Sequence, residues 1–302
     1  MIRIPTNMLC RFPNPPAPRR PLRALLVWLA AGLPFANCAQ APAPTLPDIP
    51  QLIGQVRDHQ RQMESVQENY TFHEIDVTQE LNKNGSVKKT GTEEYEIFYV
   101  NTHEVRRLIK KDGKDLDTDQ EKREQERVTK YVEKAQQTPP GQAPNGEVVI
   151  SVSRILAMAK VSRPRREMLD GRSTITFDFV GDPHAKAHNI AEEAARRTSG
   201  TFWIDEKDRQ VRRLVAHLTD NVHGGLGLIS LAKGSNLTFD QRLINNELWL
   251  PTGATIYVVA HAIGIIGFRA NIQVTDNDYR KFHADAQQQP GATVVPGSPP
   301  AH

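Results

Sequence analysis

The sequence predicts an α+β protein, mainly antiparallel β, built on one large sheet that curls, with helices inserted at the start and in the middle of the chain. Three observations predict it. From Asn69 onward, most of the chain alternates with a period of two. Turn signals separate the alternating runs, with Asn84-Gly85 and Asp112-Gly113 the strongest. No strand–helix–strand alternation of the kind that builds a parallel sheet occurs. A curled sheet with a helix across its concave side buries either a packed core or a lined cavity.

The first 41 residues read as a secretory signal. Arg19, Arg20 and Arg23 form a positive region, residues 22–33 an apolar one, and Ala39-Gln40-Ala41 fits the small-residue cleavage rule, with cleavage after Ala41. The apolar run is shorter than the roughly 20 residues that a span needs. Arg19-Arg20 resembles a twin-arginine signal but follows Pro18. Cys38 sits where a lipidated cysteine would, but behind Asn37, a poor residue at that place.

This leader explains the basic balance. It holds five of the 38 Lys and Arg and none of the 35 Asp and Glu, so the remaining chain has 33 basic and 35 acidic residues, a net charge of −2. Nucleic-acid binding thereby loses its electrostatic support. Cys10 and Cys38 leave with the leader, so stability must come from core burial and not from a disulfide.

Residues 42–47 form a Pro-rich linker, and residues 48–282 the folded domain. Asp48 suits a helix N-cap and Pro50 the first turn. Ile49, Leu52, Ile53, Val56, Met63 and Val66 then recur at helical spacing. In "YTFHEIDVTQEL", Tyr70, Phe72, Glu74 and Asp76 alternate with Thr71, His73, Ile75 and Val77, as in a strand. "EEYEIFYVNTHEVRRLIKKDGKDL" continues the meander. A charged insertion, 117–146, begins with a helix over 117–137 whose first turns are solvated and whose stripe is Val128, Tyr131, Val132 and Ala135. The pattern of Val152, Ile155, Leu156 and Ala159 predicts a short buried helix over 148–159. Strands resume at "RSTITFDFVGDP", with Ile175, Phe177 and Phe179 on one face. "NIAEEAARRT" suits one or two helical turns, "SGTFWIDEKDRQVRRLVAHL" a hairpin, and "TGATIYVVAHA" and "GFRANIQVTDNDYRKF" two long strands. The sum is about ten strands. Residues 283–302, rich in Gln, Pro and Gly, read as a disordered tail.

The segments "SGTFWIDEKDRQVRRL", "LWLPTG" and "DNDYRKF" resemble the LolA/LolB-like periplasmic lipoprotein carriers. Over residues 48–282 the resemblance implies a strongly curved, unclosed β-barrel, a LolA-like half-barrel with helices as lid or plug, and an apolar cavity for acyl chains. It also implies a periplasmic place, a lipid or acylated protein as partner, contacts with envelope proteins and transient membrane contact. The runs 224–231 and 263–268 are richer in aliphatic residues than a solvent-facing meander needs, and glycine there lets a ligand or a backbone approach closely. The candidate cavity residues are accordingly Trp203, Leu226, Leu228, Ile229, Ile263, Ile265, Ile266 and Phe268.

No G-x-S-x-G elbow, P-loop, H-E-x-x-H or C-x-x-C occurs, so neither catalysis nor a cofactor is expected. His184, His188 and Glu192 would share one face of a continuous helix and could bind zinc, but Pro183 and a loop-like context speak against the helix. Asp205, Glu206 and Asp208 fit a turn, where Asp is favoured for backbone reasons. The alternative to lipid binding is an envelope structural or sensor protein of the same fold, its core filled, acting through surface contacts.

Overall fold

The computed structural model describes residues 45–139, 142, 144, 150–224, 229–262 and 265–281; the leader, most of the loop after residue 139, and the tail lie outside them. In chain order the elements are α1 (Ile49–Val66), β1 (Tyr70–Leu81), β2 (Val87–Val100), β3 (His103–Lys111), β4 (Lys114–Asp115), α2 (Thr118–Gln137), α3 (Val152–Ala157), β5 (Ala159–Leu169), β6 (Arg172–Gly181), α4 (Ile190–Arg196), β7 (Thr198–Asp205), β8 (Val211–Leu218), β9 (Val222–Gly224), β10 (Ile229–Leu231), β11 (Asn236–Ile244), β12 (Leu248–Ala262) and β13 (Ile265–Lys281).

All described strands join one antiparallel sheet in the order β4-β3-β2-β1-β13-β12-β11-β8-β7-β6-β5, with β9 and β10 added beside β12. The sheet is curved and does not close, which is the predicted half-barrel architecture. β1 pairs with β13 over ten residue pairs, so the first and last long strands meet in its middle.

One row of paired residues crosses this sheet: Glu93, Asp76, Val274, Ala254, Phe239, Leu214, Phe202 and Phe177. Paired residues share a face. The inner face therefore runs from carboxylates on β1 and β2 to phenylalanines on β6 and β7. The neighbouring row, Thr176, Trp203 and Arg213, looks the other way and is polar.

Three helices lie on the inner face. Asp48 Oδ1 accepts from the Gln51 amide at 2.7 Å, which caps α1 as the sequence predicts. Leu52 and Val56, 1% and 0% exposed, insert among Phe177, Phe202 and Phe239. Val66, the last residue of the predicted stripe, is exposed instead, because the chain turns there and buries Gln67. α2 has a full capping box at Asp117 and Gln120 and packs Val128, Tyr131 and Ala135 against Val105, Phe98 and Val100 on the outer face of β2 and β3.

Two elements differ from expectation. The helix predicted over 148–159 is only Val152–Ala157, and Ala159 already belongs to β5. β5 itself carries Pro164, a bulge and four basic residues, with Arg163 at φ 52°. Such features mark an edge strand that repels pairing, and they mask the alternation.

Candidate functional site

A cavity of about 130 Å³ lies between the inner face and the helices α3 and α4. Its floor is Ala216 and Leu218 of β8, Leu237 of β11, and Ile256 and Val258 of β12. Its roof is Ile155 of α3 with Ala191, Ala194 and Ala195 of α4, and Leu231 of β10 also lines it. Thr198, His217, Ser235, Asn236 and Tyr257 add a few polar atoms to a mainly apolar lining.

Local sequence chemistry sets the roof. Asn189 caps α4, accepting from the Glu192 amide at 2.9 Å. Arg154 of α3 grips both carboxylate oxygens of Glu192, at 2.8 and 2.9 Å, which ties the two helices together. Those hydrogen bonds hold the Glu192 carboxyl below its ordinary range. Glycines let the layers approach. A Cβ on Gly181 would lie 2.1 Å from the carbonyl oxygen of Ala195, and one on Gly200 would lie 1.9 Å from that of Val215. The three alanines of α4 and Ala216 then leave the gap that larger side chains would fill.

The residues chosen from the sequence distribute differently. Trp203 stands on the polar face, away from Phe202 and Ile204, where its Nε1 donates to Glu167 at 2.9 Å; strand alternation puts it outside the cavity. Phe268 packs beside the Ile256 and Val258 cluster without lining the cavity. Leu226, Leu228 and Ile263 lie outside the described residues, and for Ile229, Ile265 and Ile266 only the backbone, in β10 and β13, is described. Leu231, the end of the aliphatic run 224–231, does reach the cavity. The signal that would have found the roof is the run of alanines in "NIAEEAARR", small residues on an element that must cover a sheet.

His184 and His188 precede α4 in a loop, so they share no helix face with Glu192, whose carboxylate is taken by Arg154. Among the described residues, no group of three or more His, Cys, Asp or Glu is arranged to hold a metal ion. Asp205 forms the predicted turn: its Oδ1 accepts from the amides of Lys207 and Asp208, and Arg172 binds both its oxygens.

A second feature was not foreseen. At the acidic end of the inner face, Arg106 of β3 lies over the Tyr95 ring at 4.1 Å, pairs with Asp76 at 2.6 Å and also contacts Glu74. Asp276 of β13 stands directly across from Glu74. Burial raises the Glu74 carboxyl well above its usual range, against the pull of Arg106. Burial, with Glu104 and Asp76 nearby, pushes Asp276 up to about 7.

No family model matches this sequence, and no curated protein matches it. Solved structures do. The chain is similar to a LolA superfamily protein from Nitrosomonas europaea, at 8% identity and a TM-score of 0.32 over 78% of this chain and 93% of the other. It is similar to a DUF1329 family protein from Desulfovibrio piger, at 8% identity and 0.37 over 79% and 95%. It is also similar to a putative outer membrane lipoprotein-sorting protein domain from Vibrio parahaemolyticus, at 10% identity and 0.29 over 78% and 95%. The group named from the sequence motifs is thus among these structures. At such identities and TM-scores, function has to be read from this chain's own residues.

Proposed function

We propose that this chain is a secreted, periplasmic lipid- or lipoprotein-binding protein that takes the end of an acyl chain into the cavity under α4. The carrying observation is a mainly apolar space of about 130 Å³, roofed by alanines, against the inner face of the sheet. Its size sets the ligand. An engineered cavity of roughly 150 Å³ takes one benzene, so this one takes about the last four carbons of a chain. At ~0.8 kcal/mol per buried CH₂ that burial contributes on the order of 3 kcal/mol, before the costs of association. A tighter complex needs more of the chain covered, by α4 moving or by a partner at the mouth. The leader-like residues 1–41 support export, and transient contact with a membrane or an envelope protein would deliver the ligand. Among the described residues no helix is long and apolar enough to cross a membrane.

The filled-core alternative has an observation in its favour: α1 occupies the centre of the inner face through Leu52 and Val56. One experiment separates the two. The protein is purified from its native envelope and its bound lipid extracted and weighed by mass spectrometry. Acyl lipid near one per chain is the expected result. Lipid-free protein that also fails to take up an uncharged apolar dye would remove the binding proposal and leave the surface-contact one.

A further inference from the structure

Four strands end side by side at one end of the sheet. β9 pairs with β10, β10 with β12 and β12 with β13, and Gly224, Ile229, Ala262 and Ile265 stand in one row there. The β1–β2 turn lies beside them: Glu80 pairs with Ala270, and Arg269 Nη1 donates to the Lys83 carbonyl at 2.9 Å. The apolar cavity is close. Val258 lines it, and Ala262, further along β12, is ~13 Å from Val258 at the usual strand rise.

The sequence that builds this end is unlike the rest of the chain. Segments 224–232 and 260–268 hold no Asp, Glu, Lys or Arg; they consist of Gly, Ala, Ser, His, Leu, Ile and Phe. Segments 80–89, 220–233 and 260–269 together carry five basic residues, Lys83, Lys88, Lys89, Lys233 and Arg269, and two acidic ones, Glu80 and Asp220, a net charge of +3. Of the 33 basic and 35 acidic residues after the leader, 28 and 33 are then left elsewhere, a net −5. Both acids are taken, Glu80 by Lys88 and Asp220 by Arg197. Among the described residues, Lys83, Lys89, Lys233 and Arg269 have no ion pair, and the three lysines are exposed. Residues 111–115 and 190–197, which adjoin this end, each hold two acidic and two basic residues, so they leave the surplus intact.

Uncharged apolar strand ends beside unpaired cations match the surface of a bilayer with anionic head groups. Apolar area is buried at the interface, and phosphates attract Lys and Arg. The four strands keep their backbone groups in shared ladders, which suits them to the drier interface. We propose that this end of the sheet docks on an anionic phospholipid bilayer. The role of that docking rests on the lipid-binding reading, since it would bring the cavity close to the membrane. The docking surface itself is built from other residues.

The test is co-sedimentation of the full protein with vesicles of phosphatidylcholine, with and without phosphatidylglycerol, over a range of NaCl concentrations. Binding to the anionic vesicles should be at least tenfold tighter and should weaken as salt screens it. Combined Lys83→Gln, Lys89→Gln and Lys233→Gln should weaken it about a hundredfold, at roughly fivefold per cation. Arg at the same three positions should restore it. Lys130→Gln, Lys134→Gln and Lys207→Gln together make the same charge change on α2 and the β7–β8 turn and should weaken it less than threefold. Ala194→Leu, which fills the cavity, should leave docking unchanged whether or not the cavity takes up lipid, so the two proposals fail separately. Equal binding to both kinds of vesicle, no binding to either, equal loss in the two Gln triples, or docking lost in Ala194→Leu overturns the surface.

Discussion

Replacing Ala194 by Leu tests the cavity directly. Ala194 lies on α4, lines the cavity and is partly buried, so a longer side chain has a space to enter, and Leu suits a helix. The change adds three carbons. At ~0.8 kcal/mol per CH₂ their burial is worth about 2 kcal/mol. Filling all of the 130 Å³ is worth up to about 3 kcal/mol at ~24 cal/mol per Å³. Together these coefficients equate one CH₂ with roughly 30 Å³, so the new side chain takes up most of the cavity. The expected outcome is a rise in stability of about 1–2 kcal/mol, or roughly 2–8 °C in Tm, read by urea and thermal denaturation. Affinity for an uncharged apolar dye or a short fatty acid should fall at least tenfold. Raised stability with unchanged affinity would show that ligands bind elsewhere. Destabilisation of about 1–3 kcal/mol, the usual cost of overpacking, with unchanged affinity would show that the side chain never enters the space.

Three further outcomes follow from the geometry. Burial raises Asp276 from 3.8 to about 7, so the folded state holds its proton more tightly than the unfolded chain. Stability is then full below about pH 4 for this group and falls as pH rises toward 7, by up to about 4 kcal/mol. Asp276→Asn should flatten that slope in urea titrations between pH 4 and 8, and an unchanged slope would assign it to other groups. Arg106→Leu removes the guanidinium beside Glu74 and Asp76 and should cost about 3–5 kcal/mol at pH 7. Burial favours the protonated form of both carboxyls, so the loss should shrink as the pH falls, and an equal loss at pH 7 and pH 5 would contradict the pairing. Gly200→Ala would set a Cβ 1.9 Å from the Val215 carbonyl oxygen and should cost at least about 3 kcal/mol, a Tm fall of about 6 °C or more by calorimetry. A neutral outcome would mean that β7 and β8 pair less closely.

The candidate site was less legible than the fold. The aliphatic run 224–231 touches the cavity through Leu231, but the cavity is defined by what is small: Ala194, Ala195 and Ala216. Small side chains mark a space only when their neighbours in three dimensions are known. Trp203 was misplaced for a related reason. Alternation tells which residues share a face, not which face is covered, and here Phe202 and Ile204 point inward while Trp203 points out. β5 went unread because an edge strand guards itself with Pro164 and arginines, the residues that otherwise argue against a strand.

The sequence by itself determined the local elements. The Asp48 and Asp117 caps, the turns at Asn84-Gly85 and Asp112-Gly113, and the alternation in β1, β6 and β13 depend on residues a few positions apart, whose spacing dictates period and punctuation. Only the tertiary structure decided that β1 pairs with β13, some two hundred residues away, and so that Asp276 faces Glu74 across a shared ladder. It also decided that β1 buries its Phe72, Asp76 and Thr78 side in preference to Ile75 and Val77. Those outcomes depend on register between distant strands and on which helices land on which face. Such contacts are selected by the total burial of the folded chain, and no short window of residues contains them.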